Sequence, residues 1–211
     1  LFFDDNYVND YGGGLKLAAW ENSHLIIEDS LFEFNQAQDA SGGGLFVELH
    51  NNAKLTIDHS TFDNNGAIAG GGFMVELYDN SELIIRDSLF QNNWTRLTSN
   101  SGAGGRILME GGRVSIQNTI FTGSNAGQNG GGLYLDMTGG EVDIVNSSFT
   151  NNKADNNNSS RGGGMYARMN GGQLTIHASK FVGNTTVGGT TSGQAGGLYV
   201  ESVGSANAKL D

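Results

Sequence analysis

Acidic, basic and imidazole side chains recur at two adjacent positions of this chain, about 30 residues apart. The first position holds Glu28, Asp58, Arg86 and Gln117. The second position holds Asp29, His59, Asp87 and Asn118. Carboxylates that converge in a groove can act as the acid–base pair of a glycosidase or as calcium ligands. If successive repeats stack, residues 58–59 and 86–87 lie on adjacent layers, where such chemistry could arise.

The same residues are also compatible with an ordinary polar corner that faces solvent. Charged side chains are usually solvated, and no long loop near these positions could wall a cleft. We therefore expect no catalytic residue, no cofactor and no enzyme activity, with a polysaccharide lyase or glycosidase as the alternative. We also expect no metal site, because the histidines lack metal-ligand spacing; they are His24, His50, His59 and His177.

The elements that position these residues repeat along the whole chain. Each repeat contains an L-x-I pair, then S-x-F-x-x-N, then G-G-G-L-x-V, as in residues 25–49. The aromatic residue recurs at intervals of 28 to 32 residues, which is typical of a solenoid. We expect these residues to stack as a structural ladder; they are Phe3, Phe32, Phe62, Phe90, Phe121, Phe149 and Phe181.

Each signal predicts a short strand. Apolar residues two apart, such as Leu55 and Ile57, point to one face of a strand. Residues that face the same side of a strand are separated by an even number of positions, but Ile27 and Ser30 are three apart, as are Phe32 and Asn35. All four can face inward only if the chain turns at both places. The pattern predicts an all-β fold, a right-handed parallel β-helix of about seven coils of roughly 30 residues with three short strands per coil.

Asparagine and glycine mark the predicted corners. We expect the asparagine after each Phe to tolerate left-handed backbone and to bond its amide to the coils above and below. The ladder asparagines are Asn35, Asn65, Asn93, Asn152 and Asn184. The Phe121–Asn125 spacing is one residue longer, which predicts a bulge in coil 5. Glycine triplets predict the sharp corner before the L-x-V strand.

Composition agrees with a single elongated unit. The 211 residues include 34 Gly, no Pro and no Cys. Proline would remove hydrogen-bond donors from strands that are paired on both sides. We interpret residues 1–211 as one β-solenoid segment and expect it to be a fragment of a longer repeat protein, because both ends fall within a repeat.

Charge and hydropathy restrict the partners. Residues 1–85 have a net charge of −12 and residues 86–211 of +1. This charge balance argues against nucleic-acid binding, which requires a basic patch. No apolar run reaches the ~18 residues of a membrane helix. We expect self-association end to end, or continuation in a longer chain, together with glycans as candidate partners.

Variable segments connect the asparagine corner to the glycine triplet, and three of them are long: 94–103, 153–161 and 185–194. Insertions along one edge of a solenoid often form its contact face. N-x-S/T sequons predict glycosylation if the chain passes through a eukaryotic secretory route. The candidate acceptors are Asn93, Asn146, Asn157, Asn158 and Asn184.

The alternating G-G-x-L/I and F-x-x-N motifs resemble the repeats of chlamydial polymorphic outer-membrane proteins and, more broadly, of autotransporter passengers. The resemblance covers nearly the whole chain and implies a surface-exposed, adhesive β-helix. The chain departs from that family by having Gly rather than Ala at the third motif position in most coils. We expect an extracellular or cell-surface structural protein, the shaft of a fibre or an adhesin, with a pectate-lyase-like enzyme or a carbohydrate-binding module as the alternative.

Overall fold

The computed structural model of the chain describes residues 1–96, 100–156, 159–188 and 193–211. These residues form strands and turns, and none of them lies in a helix. In chain order, the strands of the described residues are β1 Phe2–Asp4, β2 Tyr7–Val8, β3 Leu15–Ala19, β4 His24–Glu28, β5 Leu31–Glu33, β6 Gln36–Ala37, β7 Leu45–Leu49, β8 Lys54–Asp58, β9 Thr61–Asp63, β10 Gly66–Ala67, β11 Phe73–Leu77, β12 Glu82–Arg86, β13 Leu89–Gln91, β14 Trp94–Thr95, β15 Gly105–Met109, β16 Arg113–Gln117, β17 Ile120–Thr122, β18 Asn125–Ala126, β19 Leu133–Met137, β20 Glu141–Val145, β21 Ser148–Thr150, β22 Lys153–Asn156, β23 Met165–Met169, β24 Gln173–His177, β25 Lys180–Val182, β26 Thr185–Gly188, β27 Leu198–Ser202 and β28 Asn207–Leu210.

The strands form four parallel seven-stranded sheets that wind into a β-solenoid. Sheet A contains β1, β5, β9, β13, β17, β21 and β25; sheets B, C and D begin at β2, β3 and β4 and likewise take every fourth strand. Each coil contributes one strand to each sheet, so coil 1 holds β1–β4 and coil 7 holds β25–β28. The predicted parallel β-solenoid of about seven coils is therefore confirmed.

The expectation of three strands per coil is wrong, because each coil has four. The additional strand lies in sheet B directly after the asparagine corner, as in β6 and β10. It is only two residues long in five of the seven described coils, so it contributes one inward side chain, such as Ala37 or Ala67, both buried. A single apolar residue creates no alternation, and hydrophobic periodicity therefore could not predict this strand.

The core is a set of columns that run along the solenoid. Phe32, Phe62, Phe90, Phe121 and Phe149 are fully buried and stack directly on one another, with Phe3 and Phe181 at the ends of the column. Neighbouring ring centroids lie 4.5–4.9 Å apart with interplanar angles of 3–15°. Adjacent columns hold the L-x-I and L-x-V residues, which pair one for one between coils. Stacked coils thus bury a face that one coil alone would expose.

The asparagine ladder lies beside the phenylalanine column. Oδ1 of Asn65 accepts hydrogen bonds from the backbone N and Nδ2 of Asn35 at 3.0 Å, while Nδ2 of Asn65 donates to the carbonyl of Phe32 at 2.9 Å. The same pattern joins Asn65 to Asn93, and Asn152 to Asn184. Each side chain therefore satisfies buried backbone groups of a neighbouring coil.

Two details of the predicted corner are wrong. The left-handed residue is the one before the ladder asparagine, such as Asn64 (φ 54°) or Asn92 (φ 55°), because this turn directs the next side chain into the stack. Coil 5 contains no ladder asparagine and needs no bulge. Ser124 occupies the ladder position, where its backbone N donates to Oδ1 of Asn152 at 3.1 Å, and the exposed Asn125 pairs with Trp94 in sheet B.

Candidate functional site

The charged and polar residues singled out in the sequence lie together at the corner between sheets D and A. Glu28, Asp58, Arg86 and Gln117 are register partners at the ends of β4, β8, β12 and β16. Each is followed by a left-handed residue, with φ between 44° and 50°; these residues are Asp29, His59, Asp87 and Asn118. Asparagine and aspartate accept this conformation more readily than most residues, and the repeat therefore positions polar side chains here in every one of these coils.

Asp58 differs from its register partners because it is buried. Its carboxylate is only 5% exposed, since the guanidinium of Arg86 lies over it with Nη2 2.6 Å from Oδ2. Arg86, mainly through this hydrogen bond, holds the pKa of Asp58 below its ordinary value of 3.8, against the opposing effect of burial. Asp58 is therefore ionised throughout the neutral range.

His59 and Asp87 complete this cluster on the solvent side. Nδ1 of His59 lies 2.7 Å from Oδ1 of Asp58. One ligand-type atom from each of Asp58, His59 and Asp87 falls within 4.8 Å of the other two. Nδ2 of Asn118 donates to Oδ1 of Asp87 at 3.0 Å. We call residues 58, 59, 86 and 87 the corner cluster.

The electrostatics of the corner cluster do not favour a glycosidase acid. A general acid must keep its proton near neutral pH, which requires a raised carboxyl pKa. Asp58 has the opposite shift because Arg86 neutralises it. What the cluster offers is a buried carboxylate oxygen, an imidazole nitrogen and a second carboxylate facing one point.

A second candidate site lies on the outer face of sheet C and was missed by sequence reasoning. The residue directly after each sheet C strand points outward; in coils 1 to 3 it is Trp20, His50 or Tyr78, and their rings stack. The His50 and Tyr78 centroids are 4.5 Å apart at an interplanar angle of 3°. In coil 4 the row changes to Glu110, and the ring stack ends.

A groove of about 260 Å³ opens where this ring stack ends. We call it the sheet C groove; it is lined by Glu76, Leu77, Tyr78, Leu108, Met109, Glu110, Asp136, Thr138, Arg168 and Asn170. The hydroxyl of Tyr78 donates to Glu76 at 2.8 Å, and this hydrogen bond is the main reason that the pKa of Tyr78 rises to about 12. Arg168 is the one base of the lining and lies 3.5 Å from Asp136.

The groove combines an aromatic ring, hydroxyl, amide and carboxylate groups with an apolar floor. Small-molecule sites typically pair such an apolar surface with a few polar groups that fix orientation. Its residues come from four coils and are up to 94 positions apart in sequence. The sequence could have indicated this groove only through an alignment of the repeats, which brings together the residues that follow each L-x-V strand.

The candidate glycosylation residues occupy contrasting positions. Asn93 is fully buried, and its Nδ2 donates to the carbonyl of Phe62 at 2.9 Å. Nδ2 of Asn184 is similarly bonded to the carbonyl of Phe149 at 2.7 Å. Asn146 is exposed and donates to Oδ1 of Asn118. Asn157 and Asn158 lie outside the described residues.

Comparison of this chain with models of known protein families, with curated proteins and with solved structures finds no match. Among the described residues there is also no helix with the length and apolar character needed to cross a membrane. The features of this chain that bear on its function are therefore the repeat, the corner cluster and the sheet C groove.

Proposed function

We propose that this chain is a structural or adhesive extracellular β-solenoid that serves as the shaft of a fibre or cell-surface appendage. The observation that carries the proposal is the unbroken register of the repeat. Sheets C and D keep the same register from coil 1 to coil 7. A glycosidase on this architecture needs a cleft in which carboxylates converge, whereas a shaft repeats smoothly.

The internal ladders support this mechanical role. Each middle coil is hydrogen-bonded to both neighbours through four sheets, and its Phe and Asn side chains continue the contact inside. In a solenoid, stability is approximately a sum of repeat and interface terms. The same set of contacts therefore recurs between each pair of neighbouring coils along the axis.

The resemblance of the motifs to chlamydial polymorphic outer-membrane proteins and autotransporter passengers supports the surface location and the adhesive role. The uneven charge, −12 over residues 1–85 and +1 over residues 86–211, supports head-to-tail self-association or continuation in a longer array. Screening over about 8–10 Å at physiological ionic strength should weaken the electrostatic part of such association.

Carbohydrate binding is the second candidate function, and the sheet C groove favours it. Sugar rings offer apolar faces and many hydroxyl groups. The groove supplies the Tyr78 ring, the carboxylates of Glu76 and Glu110, and the polar groups of Thr138 and Asn170. Its predominantly acidic lining favours a neutral or amine-bearing glycan over an anionic one.

Surface labelling tests the proposed shaft. Antibodies raised against the folded chain should label intact source cells, and immunogold electron microscopy should show the label along elongated projections. Label that appears only after the cells are permeabilised would overturn the extracellular assignment. Compact labelled particles with no projections would contradict the shaft.

A glycan panel tests the second candidate and the enzyme alternative together. Neutral, amine-bearing and anionic oligosaccharides are titrated against the chain and against Tyr78→Leu, with Thr122→Ala as a control that leaves the groove intact. Binding of neutral or amine-bearing sugars that Tyr78→Leu abolishes would support the groove. Reproducible cleavage of any glycan that Asp58→Asn or Asp87→Asn abolishes would replace the structural proposal by an enzymatic one.

A further inference from the structure

The contact between Asp58 and His59 requires a proton or a cation between two electron-rich atoms. Oδ1 of Asp58 and Nδ1 of His59 lie 2.7 Å apart. Within the described residues no group other than His59 is available to Oδ1 as a hydrogen-bond donor, although the carboxylate is only 5% exposed. An imidazole that carries its proton on Nε2 presents a lone pair at Nδ1. Two acceptors at this separation repel each other unless a proton or a cation lies between them.

A third ligand from the next coil points to a metal ion rather than a proton. The ligand atoms of Asp58, His59 and Asp87 all lie within 4.8 Å of one another. A proton shared by Asp58 and His59 would not involve Asp87. A cation placed among the three atoms would use all of them at once.

The remaining carboxylate oxygens are already held by neighbouring side chains. Arg86 binds Oδ2 of Asp58 at 2.6 Å, and Nδ2 of Asn118 binds Oδ1 of Asp87 at 3.0 Å. Such outer contacts orient the ligands of metal sites and fix which oxygen faces the ion. The same contacts leave one oxygen of each carboxylate free to face the ion.

We propose that the corner cluster binds one divalent transition-metal ion of the zinc class through Asp58 Oδ1, His59 Nδ1 and a carboxylate oxygen of Asp87. A mixed set of imidazole and carboxylate ligands suits zinc, whereas calcium prefers oxygen ligands alone. Two carboxylates and one guanidinium give the cluster a net charge of −1, with the imidazole neutral. The charge therefore favours a cation even though Arg86 is adjacent.

Metal binding here would join successive coils. Asp58 ends the last strand of coil 2 and His59 follows it, whereas Asp87 follows the last strand of coil 3. The unfolded chain does not hold these ligands together, so the ion would stabilise the folded state by mass action. The site would act as a clamp on the acidic part of the shaft.

Calorimetric titration of tag-free, chelator-treated protein with Zn²⁺ tests this proposal. We expect one Zn²⁺ per chain and a melting temperature that rises with Zn²⁺ but not with Ca²⁺. His59→Asn and Asp87→Asn should each weaken Zn²⁺ binding by about tenfold or more, the scale of effect of losing metal-site contacts. Both variants keep the corner, because Asn118 and Asn146 hold the same left-handed conformation.

His177→Gln is the matched control, because His177 is exposed at the position that Gln117 occupies two coils earlier. It should bind Zn²⁺ as the unmodified chain does. Equal melting temperatures in chelator would show that all variants fold. Saturable 1:1 binding that depends on both His59 and Asp87 would establish the site. Unchanged affinity in Asp87→Asn, or no binding at all, would overturn the proposal and leave a proton shared by Asp58 and His59.

Discussion

The interior and the outer surface of this solenoid follow different rules. The inner column that begins at Phe3 has phenylalanine in all seven coils. The outer row that begins at Trp20 changes residue in every coil through His50, Tyr78 and Glu110. The interior must fill the same space in each coil, whereas the outer row has no such constraint. Specific function should therefore lie where the outer residues depart from uniformity, as in the corner cluster and the sheet C groove.

The largest expected effect comes from a break in the inner column. Phe90→Ala in coil 4 removes a fully buried ring that stacks on Phe62 and Phe121 at 4.8 and 4.9 Å. Cavity formation should lower the free energy of unfolding by about 3–5 kcal/mol. Urea denaturation measures this loss. Ile120→Ala, at an exposed outer position, is the control and should change stability by less than about 0.5 kcal/mol. Equal effects of the two variants would refute the contrast between interior and surface.

The asparagine ladder should give the next largest effect. Asn65→Ala leaves the buried carbonyl of Phe32 and the amide groups of Asn35 without their partner. Unsatisfied buried polar groups should lower the free energy of unfolding by about 1–3 kcal/mol. Asn65→Ser keeps a short polar group and should lose less. If both variants unfold like the unmodified chain in urea, the ladder contributes geometry but no stability.

The sequence correctly predicted the positions of those side chains that recur once in every coil. Phe62, Leu55 and Ile57 recur at the solenoid period and two residues apart, and both signals follow from backbone geometry. The two-residue strands of sheet B gave no such signal. The left-handed corner was misplaced by one residue, because Asn64 and Asn65 look equally suited to it until the inward direction of Asn65 is known.

The candidate sites were only partly predictable, because they depend on contacts between coils. The sequence placed Asp58 and Arg86 on adjacent layers, but the burial of Asp58 results from the side-chain path of Arg86. The sheet C groove depends on where the outer ring stack ends, which no single repeat reveals. In coil 5 the sequence predicted a bulge, because Asn125 matches the residue type of the ladder, whereas the residue at the ladder position is Ser124.

Ser124 offers a test in which stability should increase. Ser124→Asn would restore the missing member of the ladder between Asn93 and Asn152. One additional buried hydrogen bond should raise the free energy of unfolding by about 0.5–1.5 kcal/mol. Asn125→Ala is the control, since an exposed side chain outside the ladder should have an effect below about 0.5 kcal/mol. If Asn125→Ala instead costs as much as Asn65→Ala, the assignment of the ladder in coil 5 is wrong.

The smallest effect is expected at the partly exposed hydrogen bond between Tyr78 and Glu76, which solvent screens. The carboxylate of Glu76 accepts a hydrogen bond from the phenol and raises the pKa of Tyr78 from 10.0 to about 12. Between these values the unfolded chain loses this proton before the folded chain does. The contribution to stability is therefore complete below pH 10.0 and is lost as the pH rises towards 12.

Titration of ¹³C-labelled tyrosine by NMR measures the pKa of Tyr78 directly. Glu76→Gln should lower the pKa of Tyr78 towards 10.0, and Glu48→Gln should lower it less, because Glu48 acts only through its charge. If Tyr78 ionises near pH 10.0 in the unmodified chain, the hydrogen bond does not form in solution and this wall of the sheet C groove is not fixed.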